Sequence, residues 1–252
     1  MRYAILSKNK PTLLIDADLY LYRACIASEE EVCWSEEEDI WTLYSDLKVA
    51  KQIFQEQVTG FCDKFKTNEV LMCLSATDNF RKEIYPPYKA SRKKTRKPVG
   101  YRSFVEWCKK TYPYHIEPKC EADDVMGYIQ SSKKTPTLII SDDKDLKTIV
   151  GKLYRPMSEE VLDITPKDAD YNWLTQSLCG DFVDGYKGCP RIGEKTAIKV
   201  LGNHPSWELV HQAYIKAGLT KKDAVIQSQL ARILRYEDWD QKNNKIKLWE
   251  PM

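Results

Sequence analysis

A chain of 252 residues, 42% hydrophobic and 30% charged, can bury a real core and fits one globular domain with a smaller appendage. No apolar run approaches the roughly 18 to 20 residues of a membrane span, and Met1 to Lys10 holds no apolar stretch ending at a small-residue cleavage site, so a cytoplasmic protein is expected. The net charge of +2, from 39 Lys plus Arg against 37 Asp plus Glu, excludes a globally polybasic binder, and eight scattered cysteines with no C-x-x-C pair and three histidines argue for reduced thiols over zinc sites or disulfides.

In chain order, Thr12-Leu13-Leu14-Ile15-Asp16 is an apolar run ending in an acid, the pattern of a buried parallel strand whose carboxyl end faces a site. Asp18 onward reads as a helix, and the acidic stretch Glu29 to Asp39 as a solvated loop. Ser45 to Phe65 has apolar residues at helical spacing; Glu69 to Leu74 is a second buried strand. A basic stretch runs from Arg81 to about Gly100, Tyr101 to Thr111 is helical, and Glu121 to Gln130 begins a helix with acids in its first turn. Thr137 to Ile140 is a third strand, followed by Ser141-Asp142-Asp143-Lys144-Asp145. Alternating strands and helices predict a mainly parallel α/β sheet over residues 1–165. After Pro166 the pattern turns helical (Pro166 to Leu178, Gly193 to Leu201, Ser206 to Ala217, Lys222 to Arg235), so residues 166–252 are expected to form a smaller helical unit with a Trp- and Lys-rich tail.

Four acidic clusters carry the chemistry: Asp16; Glu121, Asp123 and Asp124; Asp143 and Asp145; Asp181 and Asp184. Any one alone reads as a solvated cap. Together, three of them follow apolar elements that should converge on one sheet edge, where like charges repel unless cations neutralise them. Hard oxygen ligands suit Mg²⁺, with Mn²⁺ as a substitute, and two such ions about 4 Å apart can activate a water and stabilise the leaving oxygen of a phosphodiester. Asp78 stays open between a further ligand and a loop acid balancing local positive charge. Cysteine catalysis is not expected, because no histidine is identified that would activate Cys120 or Cys189 as a nucleophile.

From Arg81 to Arg102 the charges are Arg81, Lys82, Lys89, Arg92, Lys93, Lys94, Arg96, Lys97 and Arg102, with Glu83 the only acid. Phe80, Tyr85, Tyr88 and Tyr101 lie among them, offering charge for a phosphate backbone and rings for exposed bases. Lys89 and Arg92 are assigned to the scissile phosphate. The turn Gly185 to Gly193 opens a helix starting Glu194-Lys195, so Gly188, Arg191, Gly193 and Lys195 are candidates for a second phosphate.

Taken in order, Leu14-Ile15-Asp16, Phe80-Arg81 with Tyr88-Lys89 and Arg92, Glu121-Ala122-Asp123-Asp124, Asp143-Lys144-Asp145, and Gly180-Asp181 with Asp184 then Ile192-Gly193-x-Lys195 resemble the 5′-nuclease family over residues 12–202. That family takes in flap endonucleases, bacteriophage 5′-3′ exonucleases and the 5′-nuclease domains of bacterial DNA polymerases. The resemblance implies a PIN-like (Rossmann-like) α/β nuclease domain with a helix-three-turn-helix DNA-binding element, two divalent metals, and often potassium at the glycine turn. It implies Asp16, Glu121, Asp123 and Asp124 around one metal and Asp143, Asp145, Asp181 and Asp184 around the other. The chain looks most like a stand-alone phage enzyme, expected as a monomer acting on duplex DNA with 5′ ends or flaps, and on RNA–DNA hybrids as in primer removal.

Two departures stand out. Where the family carries an Asp ahead of its Phe-Arg pair, this chain has Leu74 and Ser75, and the family's middle glycine in the turn is Arg191, at a cost of about 1 kcal/mol if that position needs positive φ. The few residues between Arg92 and the helix at Tyr101 leave little room for a long arch, which favours duplex ends over strict flap cutting. Two other classes compete: a structure-specific DNA-binding module that has lost its chemistry, and a PIN-type ribonuclease.

Overall fold

The structure, a computed structural model, describes residues 10–251, apart from the side chain of Lys93; the segment searched above for an export signal lies largely outside them. In chain order the elements are β1 (Thr12–Asp16), α1 (Ala17–Ala27), β2 (Glu29–Ser35), β3 (Ile40–Ser45), α2 (Leu47–Phe65), β4 (Val70–Cys73), α3 (Phe80–Ile84), α4 (Tyr101–Thr111), β5 (Tyr114–His115) and α5 (Ala122–Ser131). Next come β6 (Thr137–Ile140), β7 (Gly151–Arg155), β8 (Glu160–Ile164), α6 (Pro166–Cys179), α7 (Glu194–Leu201), α8 (Trp207–Lys216), α9 (Lys221–Ala231), β9 (Trp239–Asp240) and β10 (Lys245–Ile246). No helix among the described residues is long and apolar enough to cross a membrane.

The main sheet has the order β5-β4-β1-β6-β7-β8, parallel except for β8, which runs antiparallel to β7. The apolar runs of β1 and β6 are buried on both faces, as central parallel strands must be. Leu13, Ile15, Leu138 and Ile140 pack with Tyr20, Leu21, Phe54 and Phe104 from α1, α2 and α4, while Leu14 and Ile139 pack with Val125 and Met126 of α5. Asp16, at the carboxyl end of β1, also caps α1 by accepting the Leu19 N–H at 3.2 Å, so one residue ends the strand and opens the helix.

A third core joins α6 to α9, with Trp173, Leu178, Val210 and Tyr214 at its centre. Thr165 opens α6 with a reciprocal capping box to Asp168 and Pro at the first helical position, and Thr220 makes the same capping box with Asp223 at the start of α9. After α9 the chain returns to the sheet: Ile233, Leu234, Trp239 and Ile246 join the α5 face. Part of residues 166–252 therefore packs away from the helical core.

The acidic stretch Glu29 to Asp39 is not a loop. It forms most of the antiparallel β2–β3 hairpin, with Trp34 70% and Trp41 54% exposed. Neither strand has a buried face, so the periodicity that marks a half-buried strand is missing from its sequence.

Candidate active site

Asp16, Glu121, Asp123, Asp143, Asp145, Asp181 and Asp184 all line one open cleft of about 1300 Å³ beyond the carboxyl ends of the strands. Different elements deliver them. Asp16 ends β1; Glu121 and Asp123 stand at the start of α5; Asp143 and Asp145 follow β6; Asp181 and Asp184 sit in a loop after α6. That loop is closed by paired backbone hydrogen bonds between Asp181 and Tyr186 (2.8 and 3.0 Å), and Asp181 Oδ1 accepts the N–H groups of Val183 and Asp184. Its neck is a glycine contact: at Gly180 (φ 67°) and Gly188 (φ 65°) an added Cβ would come within 2.3 Å of the other residue's nitrogen.

The acids fall into two groups by what stands beside them. Glu121 pairs with Lys89 and with Arg81 at 3.3 Å, Asp184 with Arg92 and with Lys89 at 3.4 Å, and Asp181 with Lys144 at 3.2 Å. Burial pushes the Glu121 carboxyl up, but Lys89 and Arg81 outweigh it and hold it near 2. Asp16, Asp123, Asp143 and Asp145 have no ion-pair partner among the described residues. Burial raises Asp16 to about 7, with Asp18 and Asp143 adding to it, against a hydrogen bond from Ser141 Oγ at 2.7 Å. Loss of water, then repulsion from Asp143 and Asp16, raises Asp123 well above the usual carboxylate range; burial and Asp143 bring Asp145 to about 7. These are hard oxygen donors with no ion-pair partner, the chemistry a divalent metal fits, although among the described residues no three already converge at liganding spacing.

Several expected residues either stay off the cleft or, like Arg81 and Tyr88 at its edge, are already engaged in other contacts. Asp124 does not line it: Arg81 reaches both its carboxylate oxygens at 2.7 Å, and Asp124 Oδ1 also accepts the Leu234 N–H. Arg81, 2% exposed, also donates to the Leu230 and Arg232 carbonyls, so it clasps α3 and α5 to the end of α9 and is closed to a phosphate. Removing either partner would leave a buried charge, at about 3 to 5 kcal/mol. Asp78 is exposed and off the cleft. Phe80 and Tyr88 are buried, not free for stacking; the Tyr88 hydroxyl donates to Glu121 Oε2 at 2.8 Å. Gly188 gives its N–H to Gln227 Oε1 at 2.8 Å, leaving none for a phosphate.

Lys82, Lys89, Arg92 and Arg96 do line the cleft, with Tyr101. Arg191, Gly193 and Lys195 are exposed where α7 begins, outside the cleft lining, and Arg191 takes φ 63°, the left-handed conformation that favours glycine. Asp18 escaped the sequence reading. It lines the cleft beside Leu74 and Ser75, accepts the Ser75 N–H at 2.9 Å, and takes a 3.3 Å hydrogen bond from Tyr101. An acid two residues beyond the strand-ending Asp16, in the first turn of α1, was the available signal.

The family model described as "5′-3′ exonuclease, N-terminal resolvase-like domain" matches residues 11–173. The exodeoxyribonuclease of Enterobacteria phage T3 is 31% identical over 285 aligned positions, spanning 96% of this chain and 94% of that protein. The exonuclease of Escherichia phage T7 is 30% identical with the same coverage. Among solved structures, the T5 D15 protein co-crystallised with metal ions superposes with a TM-score of 0.65 at 14% identity, covering 88% of this chain and 89% of that one; this likeness establishes the shared fold.

Proposed function

The chain belongs to the 5′-3′ exonuclease family, and on that premise we propose that it hydrolyses phosphodiesters at or near the 5′ ends of duplex DNA with two divalent ions bound in the carboxylate cleft. The observation that carries this reading is the group Asp16, Asp123, Asp143 and Asp145, gathered at one sheet edge with no ion-pair partner among the described residues and with burial and mutual repulsion outweighing the pull of Lys89 and Lys144. Such a set is costly at neutral pH unless cations from solution enter it. Mg²⁺ fits the oxygen donors, and Mn²⁺ can replace it. Divalent ions held there supply Lewis acidity to the phosphate oxygens and lower the pKa of an attacking water. Asp16, Asp123 and Asp143, with Asp18 near the first and Asp145 near the last, hold them; Glu121, Asp181 and Asp184 complete the set once Lys89, Arg92 and Lys144 turn to the substrate.

On this reading Lys89 and Arg92 grip the scissile phosphate and stabilise the charge that grows on its oxygens. Their current partners are carboxylates, so a phosphate oxyanion is a like-for-like replacement. The start of α7, with Arg191, Gly193 and Lys195 exposed, offers unpaired backbone N–H groups to a phosphate further along the duplex, and potassium would meet the carbonyls of the 185–193 turn. The proposal extends to 5′ flaps, to RNA in RNA–DNA hybrids, and to a monomer in the cytoplasm of a phage-infected cell. Incubating purified protein and magnesium with 5′-labelled duplex, flap and hybrid substrates tests it. Nucleotide release from the 5′ end is expected; no release with either magnesium or manganese sinks the reading.

A further inference from the structure

We propose that Glu29, the first residue of the β2–β3 hairpin, is a positioning residue that fixes the basic wall of the cleft by clamping Arg96 and Val99. The clamp deepens the proposed DNA-cutting role and rests on it where DNA is concerned. The wall, residues 85–100, has little regular backbone of its own. It contains Pro86, Pro87 and Pro98, bends at Lys89 (φ 52°) and Gly100 (φ 77°), and holds one short helical turn, Ala90–Lys94. A segment of that kind keeps its course only if it is tied at both ends.

The near tie is the Lys89 N–H, which donates to the Asp184 carbonyl at 2.7 Å. The far tie is Glu29. Its Oε1 and Oε2 take the two arms of the Arg96 guanidinium at 2.7 and 2.9 Å, and Oε1 also accepts the Val99 N–H at 2.7 Å. This fork-to-fork geometry fixes orientation as well as distance. Glu29 is itself held: Ser28 Oγ meets Ser45 Oγ at 3.1 Å, and the Asp46 N–H donates to the Ser28 carbonyl. The hairpin hangs from the end of α1, whose first turn carries Asp18 and whose cap is Asp16. Glu29 thus carries the position of the carboxylate edge through α1 to the wall.

Between the ties lie Arg92, Thr95 and Lys97, all lining the cleft, with Lys97 Nζ 5.1 Å from the Tyr101 ring centre and 6.0 Å from that of Tyr22. Both arms of Arg96 are taken, so a residue that reads in the sequence as a phosphate contact is an anchor instead.

Two physical pictures give opposite signs. If charge alone governs the cleft, removing an acid beside it and freeing Arg96 tightens DNA binding; if Glu29 is a clamp, the same change loosens the wall and weakens binding. The experiment uses full-length protein, its Glu29→Gln, Glu29→Asp and Arg96→Ala variants, and the double variant Glu29→Gln/Arg96→Ala. Binding of a fluorescent 5′-phosphorylated duplex is measured in calcium, with trypsin cleavage within residues 92–97 followed in parallel. Expected are about fivefold weaker binding in Glu29→Gln and in Arg96→Ala, the upper end for an exposed pair with bidentate geometry. The double variant should be no weaker than either single one. Glu29→Asp should recover part of the loss, and KM should rise more than kcat falls. Trypsin should cut Glu29→Gln about fivefold faster, following the opened population. Equal or tighter binding in Glu29→Gln, additive losses, or unchanged trypsin cleavage each overturn the clamp. Faster cleavage in a protein whose wild type binds no duplex keeps the tie and removes the DNA reading.

Discussion

At the sheet edge Asp16, Asp123, Asp143 and Asp145 face one another without an ion-pair partner among the described residues, whereas Glu121, Asp181 and Asp184 each lean on a lysine or arginine. The residue types are the same and the cleft is shared. What differs is the neighbour, and it sets opposite states: Glu121 is held near 2, while Asp16 and Asp145 are pushed to about 7. The first group calls for cations from outside; the second already holds cations that it can release to a phosphate.

The sharpest way to break this contrast is Asp143→Asn. If the unpartnered group holds the metals, turnover should fall about 1000-fold, the scale of several kcal/mol of lost Lewis-acid stabilisation, while the melting temperature holds or rises. A loss under tenfold would make the acids mere caps. On the partnered side Lys89→Ala should cost about 100-fold in kcat, as when one oxyanion donor is removed. A rise in KM alone would reduce Lys89 to a binding contact.

The third test is of stability against pH. Asp16 and Asp145 are pushed up to about 7 in the folded protein, above the ordinary aspartate value of 3.8, so between those limits the folded protein binds more protons than the unfolded chain. Stability of the metal-free protein should therefore be greatest below about pH 4 as far as these two groups are concerned, and should fall as pH rises to about 7. Thermal melts in EDTA should show that decline, and magnesium should flatten it; a decline of the same size with magnesium would separate the acids from the metal. The smallest expected effect is that of Asp78→Asn, which should leave turnover within about twofold because the residue stands off the cleft.

Much of this was legible in the sequence. The apolar runs of β1, β4 and β6 announce buried strands because both their faces are covered, and the helix over Tyr101–Thr111 and the strand over Thr137–Ile140 lie where the pattern places them. The acids gather because parallel strands align their carboxyl ends, and short separations such as Asp143 to Asp145 follow from that edge. Local pattern failed where the partner is distant in the chain. Asp124 and Arg81 read as ligand and phosphate grip, but they are 43 residues apart and find each other in the core, sealed by the carbonyls of residues 230 and 232. The β2–β3 hairpin was missed because neither face is buried, and the β7–β8 hairpin because its short strands mix apolar with charged residues and β8, the edge strand, is mostly exposed. Asp18 went unclaimed because an acid in a first helical turn also reads as a simple partner of the helix dipole, and only the fold sets it beside Ser75 at the end of β4.

The crossing of Gly180 and Gly188 has a consequence for variation and engineering. With no space for even a methyl group at the neck, the loop's mouth is fixed by backbone against backbone. Its tip is the reverse: Phe182 is 96% and Val183 66% exposed, free of packing duties. Recognition at this end of the cleft can therefore be rewritten at two outward-facing positions, like exchanging a tool head on an unaltered shank, while the acids on either side keep their spacing.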